Sequence, residues 1–463
     1  MKRPGRSRVA AALIAGALSG CALGPDYRAP EPAPADFRHA GEAAFVREPL
    51  QAAWWRQLGD PVLDELIAGA LADGLDLRIA EARVRESRAL FRESRLDYAP
   101  AVTTRAAYEK RDAQLPGFGA DERIATETYE LGFDAAWELD LFGRVRLGVQ
   151  AARADAETAE ALLRDAEVRL AAEVAREYFE LRGAQRRLAV AEDNLDNQRE
   201  AMRLTQVRYD LGAGYELDVA SARARLKETE ASIPPLHKAE RAAAHRLAVL
   251  AGQRPGSFDV RLAPVPAKPR VRPLAIGTPE ELLRRRPDVR AAERALAAQI
   301  ARVGVATADL FPRLSLSGFF GFIAGDAAAL GESNTRAWSV APTLSWAALD
   351  LGSVQAQLRA AEARADAQLA AYEQTVLLAL EETDNAFVAF AQDQQRLAAL
   401  VAQAAASKRA TELARVQYRE GALDFLRLLD AQRTVLQAED AVAQAETALN
   451  TDVVAIYKAL GGG

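Results

Sequence analysis

The chain has 463 residues, a formal net charge of −6, 50% hydrophobic residues and one cysteine. The acidic balance argues against nucleic acid as a partner, and a lone cysteine excludes any intrachain disulfide. Past the first twenty residues no apolar run reaches the roughly 18 that a membrane helix needs, so any passage through a bilayer would have to be a closed barrel.

The N-terminus reads as a secretory signal over residues 1–20. Lys2, Arg3, Arg6 and Arg8 make a basic start, and Val9 to Leu18 make an apolar stretch too short to span a membrane. The segment ends Leu18-Ser19-Gly20-Cys21, which resembles a bacterial lipobox, whose cleavage leaves an acylated Cys21 as the new first residue. Ala22 follows it, where an Asp would resemble an inner-membrane retention signal, so outer-membrane delivery is expected. Losing four positive charges takes the mature chain to about −10 from −6. That charge suits a cation-tolerant pore or a soluble surface equally.

The rest of the chain is a duplication. Asp76-Leu77-Arg78-Ile79-Ala80-Glu81 returns as Asp288-Val289-Arg290-Ala291-Ala292-Glu293, and Pro100 as Pro312, at an offset of 212. Trp137 and Trp346, Glu173 and Glu382, Tyr209 and Tyr418, Gly212 and Gly421 are offset by 209. The three lost residues fall between Pro312 and Trp346, where a loop is expected.

Each repeat begins with a helix, about 75–98 and 288–310. Period-two segments follow, from Pro100 to Trp137 and from Pro312 to Trp346. Tyr129, Leu131, Phe133, Ala135 and Trp137 alternate with Thr128, Glu130, Gly132, Asp134 and Ala136. Trp338, Val340, Pro342, Leu344 and Trp346 alternate with Ser339, Ala341, Thr343 and Ser345, and Leu314, Leu316, Phe320 and Phe322 form another apolar face. The first strand is the least regular, with Val102, Thr104 and Tyr108 against Thr103, Arg105 and Glu109. Periodicity alone fits a soluble hairpin as well as a membrane barrel. Four strands cannot close a barrel, and an open edge is forbidden in lipid, so subunits must share one; three would give twelve strands.

A very long helix comes next, 141–210 in the first repeat, roughly 105 Å if continuous. Val174, Leu181, Leu188, Leu195, Met202 and Tyr209 recur every seventh residue, the seam of a left-handed coiled coil. Thr383, Phe390, Leu397, Ala404, Thr411 and Tyr418 make the weaker matching seam. Gly212-Ala213-Gly214 and Gly421 turn the chain into return helices, 215–251 and 423–460, with a kink expected at Pro234-Pro235. The expected fold is mainly α, with a small membrane β part of four strands per subunit.

These residues resemble the TolC-like outer-membrane factors, in the lipoprotein branch of the OprM and NodT type. The resemblance rests on Gly24-Pro25-Asp26-Tyr27, Trp54-Trp55 with Leu58-Gly59-Asp60-Pro61, and Trp137-Glu138-Leu139-Asp140-Leu141-Phe142-Gly143-Arg144. It continues through Leu282-Leu283-Arg284-Arg285-Arg286-Pro287-Asp288, Ala308-Asp309-Leu310-Phe311-Pro312 and Leu429-Asp430-Ala431-Gln432-Arg433. The family implies a homotrimeric 12-stranded β-barrel, a periplasmic α-barrel and an equatorial belt. It also implies docking onto a periplasmic adaptor and an inner-membrane pump, most often of the RND type. The implied division is 21–74 for the anchor and equatorial segment, 75–251 for the first repeat, 252–286 for the linker, 287–460 for the second repeat and 461–463 for the tail.

By the same resemblance Gly212, Gly214 and Gly421 form the periplasmic mouth that an adaptor grips. Asp218, six residues after Gly212, and Asp430, nine after Gly421, match the family's acidic gate positions, and Tyr418 matches its closing network. Arg427 stands where some members have an acid and Leu423 where some have a basic partner, which leaves Arg427 to pair with Asp218 or Asp430, or to be an ordinary solvated charge. The expected lipid face comprises Tyr129, Leu131, Phe133, Trp137, Trp338, Leu344 and Trp346. Catalysis, a metal and a cofactor are not expected: the three histidines, His39, His237 and His245, form no ligand set, and no hydrolase motif occurs. The competing reading is a periplasmic adaptor or coiled-coil scaffold lipoprotein, which would not need two hairpins and tryptophan-edged strands.

Overall fold

The computed structural model describes residues 24–25, 27–30, 45–46, 53–114, 123–258, 274–276 and 285–462. Two compact units emerge, each built from three stretches of chain. One comprises residues up to Glu31, Arg83–Glu160 and Ala291–Gln374; the other comprises Pro32–Ala82, Ala161–Arg290 and from Thr375 onward. Cys21 and the first hairpin tip, 115–122, lie outside the described residues.

In chain order the elements are β1 (Phe45–Val46), a 3-10 turn (Trp54–Leu58), α1 (Pro61–Asp73), α2 (Leu75–Leu96), β2 (Ala101–Gln114) and β3 (Arg123–Leu139). Then come α3 (Arg144–Asp210), α4 (Glu216–Leu250), β4 (Leu274–Ala275), α5 (Pro287–Ala308), β5 (Arg313–Ala324), β6 (Arg336–Ser345), α6 (Leu351–Arg419) and α7 (Phe425–Ala459). The two halves repeat one another: helix, two strands, long helix, return helix.

The first unit holds the sheet, four antiparallel strands in the order β2-β3-β5-β6. Its register is continuous: Thr104 lies opposite Phe133, Phe133 opposite Phe320, and Phe320 opposite Trp338. Because side chains alternate along every strand, that register gathers Tyr108, Tyr129, Leu131, Phe133, Leu316, Phe320, Trp338 and Leu344 onto one face. The other face carries Arg105, Glu130 and Asp134, joined as ion pairs at 2.7 and 3.8 Å from the arginine. Gly132 and Gly321 face each other between β3 and β5, and a Cβ at Gly132 would lie 2.8 Å from the Phe319 ring, so the glycines make room for it.

The second unit is helical. The heptad seam is its core: Val174, Leu181 and Leu195 are buried on α3, and Thr383, Phe390, Leu397, Thr411 and Tyr418 on α6. The threonines fit there because each hydroxyl donates to a carbonyl, Thr383 to Ala379 at 2.8 Å and Thr411 to Ala431 at 2.9 Å. Trp54, 1% exposed, stacks on Tyr457 with ring centroids 4.9 Å apart, which fixes the 3-10 turn against the end of α7. Asp60 caps α1 by accepting from Val62 and Leu63, and the Tyr178 hydroxyl of α3 donates to its other oxygen. A two-residue parallel bridge, β1 with β4, ties 45–46 to the linker at 274–275. Sequence periodicity gave no sign of it. Pro234 and Pro235 lie inside α4, which runs on through them as one helix to Leu250, so no helix break occurs there.

Candidate functional site

Three groups of residues carry the functional geometry. The first is the apolar face of the sheet. In a soluble hairpin this face would be covered by the chain's own core. Here Trp338 is 75% exposed, Phe320 68% and Leu344 67%, with Phe133, Leu131 and Val340 also open. An apolar face spanning four strands and open to solvent is a surface built for a non-aqueous partner. Of the expected lipid-facing residues, Tyr129 and Trp137 are half-buried and the others exposed. Trp346 follows β6, its indole nitrogen donating to the Leu310 carbonyl at 3.0 Å. The outer strands β2 and β6 each pair on one side only. Their free backbone groups need a partner wherever water is absent.

The second group holds the N-terminal segment in the same unit. Gly24 packs against Gly304 of α5 so closely that a Cβ would lie 2.8 Å from the Gly304 Cα. Tyr27 donates its hydroxyl to Glu293, and Arg294 covers its ring at 5.5 Å while pairing with Glu157 of α3. Ala154, Ala297 and Ala298 form the small-residue floor beneath that ring. Burial and the Glu293 carboxylate push the tyrosine hydroxyl well above its ordinary range. The motif around Tyr27 thus clips the segment onto α5 and α3.

The third group is the pair of hairpin tips in the second unit. Gly212 and Gly421 have φ of +73° and +76°, left-handed values that a side chain rarely adopts. At the first tip the Gly212 amide donates to Tyr209 and that of Ala213 to Arg208; at the second, Gly421 donates to Tyr418 and Ala422 to Gln417. Both are Schellman closures. Gly252 and Gly461, again 209 apart, end α4 and α7 in the same way, at φ of +69° and +84°. The duplication therefore extends to the stop signal of every long helix. Gly214 lacks a left-handed φ; it is small because a Cβ would sit 3.2 Å from the Tyr209 amide.

Tyr418 is buried, its ring 5.5 Å from Phe425 and 4.7 Å from the Arg208 guanidinium, within a cluster of Ala222, Leu428 and Leu429. Asp424 starts α7 by accepting from the Arg427 amide at 2.9 Å. Asp430, exposed, pairs with Arg433 at 2.6 Å, one turn along the same helix. Within one chain the Arg427 guanidinium meets neither Asp218 nor Asp430, and among the described residues it has no ion-pair partner. The 209-residue offset makes Arg427, not Asp430, the counterpart of Asp218. Equivalent places on the two tips thus carry opposite charges. Comparing the repeats position by position would have found this.

A polar cavity of about 180 Å³ lies between α3, α5, α6 and the end of α7, lined by Asp165, Arg169, Arg286, Asp288, Glu382 and Lys458. Arg286, almost wholly buried, donates to Asp288, Glu382 and the Ala459 carbonyl, while Lys458 pairs with Glu382 at 2.8 Å and Arg169 with Asp165 at 2.9 Å. Each charge is answered within the cluster, so it clamps four helices rather than awaiting a ligand. Among the described residues no three of His, Cys, Asp and Glu are grouped to hold a metal.

The family model described as outer membrane efflux protein matches residues 66–253 and 278–462. The chain is 33% identical over 458 residues to the outer membrane protein OprJ of Pseudomonas aeruginosa, covering 98% of this chain and 95% of that one. It is 31% identical over 440 residues to nodulation protein T of Rhizobium leguminosarum bv. trifolii, covering 92% and 91%. The solved structure of the outer-membrane channel OprN superposes with a TM-score of 0.93 at 51% identity, covering 96% of this chain and 99% of that one.

Proposed function

Since the chain belongs to the outer membrane efflux protein family, we propose that three copies close one barrel across the outer membrane and that the hairpin tips carry its gate. The protein is an outer-membrane exit duct of an efflux system, a passive conduit for small molecules. What carries the shared-barrel reading is the exposed apolar face bounded by two unpaired edges. Two copies would make a barrel of about eight strands, whose interior side chains fill; three are the fewest that leave a lumen. An adaptor or scaffold would leave the face unaccounted for. Measuring the native mass of the detergent-extracted protein, with its conductance in a planar bilayer, tests this. A conducting trimer is expected; a monomer soluble without detergent overturns it.

Cys21 is read as a lipid anchor from the lipobox-like Leu18-Ser19-Gly20-Cys21, and the position of Gly24 supports that reading. Gly24 packs on α5 close to the end from which β5 departs, and Tyr27 is clipped eleven residues farther from that end. The chain from Gly24 to residue 21 spans at most about 10 Å, which supports an anchor close to the base of the strands. Residues 21–74 then hold the anchor and equatorial segment, the belt itself drawing on roughly 43–74, 252–286 and the tail at 461–463, with repeats at 75–251 and 287–460 and the signal at 1–20.

For the gate, Asp218 and Arg427 are opposite charges on equivalent tips, and among the described residues of one chain neither side chain has an ion-pair partner. In a ring of alternating repeats each would meet the other across a subunit boundary, with Tyr418 packed behind and Asp430 on the next turn. The turns at Gly212, Gly214 and Gly421 are the surface for a periplasmic adaptor, which links the duct to an inner-membrane pump of the RND type. Single-channel conductance tests the gate. Asp218→Ala and Arg427→Ala should each conduct more than the parent, and exchanging the two charges should restore it. Equal conductance in all four sinks the pair, and an unchanged Asp430→Ala removes Asp430.

A further inference from the structure

The duplication provides an internal control at every position of the long helices, and one pair departs from it sharply. Ala184 and Ala243, on α3 and α4, are both buried. Their counterparts 209 residues on are Asp393 of α6 and Asp452 of α7. The helical framework is therefore satisfied by two small apolar residues here, and the second repeat has two carboxyls instead.

Asp452 has one oxygen, Oδ2, sealed from solvent with no hydrogen-bond partner among the described residues. Asp393 lies within hydrogen-bonding reach of its carboxyl. Two adjacent ionised carboxylates repel, and a sealed oxygen without a donor is costly. A single proton between them removes both penalties. Arg396, one turn along α6, approaches Asp393 at 3.7 Å.

We infer that Asp452 and Asp393 share a proton that fastens α7 to α6, and that its loss to solvent lets the two helices part. Burial and the facing Asp393 push the Asp452 carboxyl up to about 7. Three further charged groups along these helices are engaged elsewhere. Glu446 of α7, raised by its own burial, is acted on by Arg186 of α3; Asp440 of α7 pairs with Arg187 of α3; and Glu382 of α6 pairs with Lys458 of α7. Asp384 of α6 also has a sealed oxygen, yet among the described residues Asp393 is the charged group that acts on Asp452.

The direction follows from linkage. Packed, Asp452 holds its proton to about pH 7; parted, it returns to the ordinary carboxylate range. Raising the pH from about 4 to 7 therefore favours parting, by at most roughly tenfold per unit, and the effect levels off above 7. Acid fastens the pair. The Tyr418–Phe425 contact joins the far ends of the same two helices, so fastening them opposes movement at the tip. This last link rests on the gate proposed above.

The test is infrared difference spectroscopy of the purified full-length protein between pH 5 and pH 8, with single-channel conductance over the same range. The parent should lose a protonated-carboxyl band near pH 7 that Asp452→Asn lacks, and its conductance should rise with pH where that of the variant stays flat. The double variant Asp393→Ala with Asp452→Ala copies the first repeat, keeps a packing already present in this fold, and should also be flat. A parent spectrum without the band overturns the shared proton. A band with the same conductance slope in all three proteins overturns the latch, and the Asp218 and Arg427 variants show independently whether the gate survives.

Discussion

A buried cation is tolerated where its donors are used, and Arg286 uses its own on Asp288, Glu382 and the last turn of α7. Arg286→Met would strand Asp288 in a half-buried site and leave the Ala459 carbonyl with the longer Thr383 hydroxyl donation at 3.4 Å. Removing one partner of a buried pair costs about 3 kcal/mol, at the low end here because Lys458 still holds Glu382. Thermal unfolding should show that loss. The same cluster sets a pH response. Despite burial, Arg286 holds the Asp288 carboxyl below its ordinary value, and Lys458 and Arg286 do so for Glu382. A lowered carboxyl stabilises above its unfolded pKa of about 4 and loses that as pH falls further. Melting temperature should therefore drop below pH 4 in the parent and drop less in Arg286→Met. Gly212→Ala and Gly421→Ala place a Cβ at a left-handed φ, costing roughly 1–2 kcal/mol each. Nothing else lies within 4 Å of either, so the strain is local. Limited proteolysis should quicken at the tips while the global melting temperature barely moves. The sequence marked these glycines through the repeat, but not Asp452, because a carboxyl on a helix face looks the same whether water or another carboxyl faces it.

Among the elements, the strands were the most legible and the most ambiguous. Alternation located all four, and the observed β3 and β6 include every apolar position read from it except Trp346, which follows β6. It could not say whether the apolar face was covered. The register does, by setting Phe133, Phe320 and Trp338 side by side in one exposed row. A lysine in such a row at mid-membrane depth costs about 2–4 kcal/mol. Phe320→Lys should thus lower the amount of heat-modifiable oligomer in the outer-membrane fraction, whereas Asp134→Asn, on the charged face, should leave it unchanged. Helix ends depended on chemistry that periodicity does not see. The long helix was expected from 141 and begins at Arg144, because Gly143 has a left-handed φ and Asp140 accepts the amides of Val145 and Arg146. Prolines 234 and 235 leave α4 uninterrupted because burial of its flanking face, Thr229 and Leu236 among it, outweighs the lost amides.

For the whole molecule, anchoring and insertion are separable. The acyl chain on Cys21 would add membrane affinity, but the apolar face inserts by itself. Cys21→Ser should abolish incorporation of labelled palmitate while the protein stays in the outer-membrane fraction; release into the soluble periplasm would mean that the face is not in lipid. What the sequence alone determined is whatever repeats along the chain: the duplication at 209–212, the heptad seam, the alternating strands and the glycine stops, all of which reflect local periodicity. Only the tertiary structure decided which of those faces stay open, which charges on the tips lack a partner, and that two aspartates meet where the first repeat has alanines. Those depend on contacts between residues far apart in sequence, which no period records.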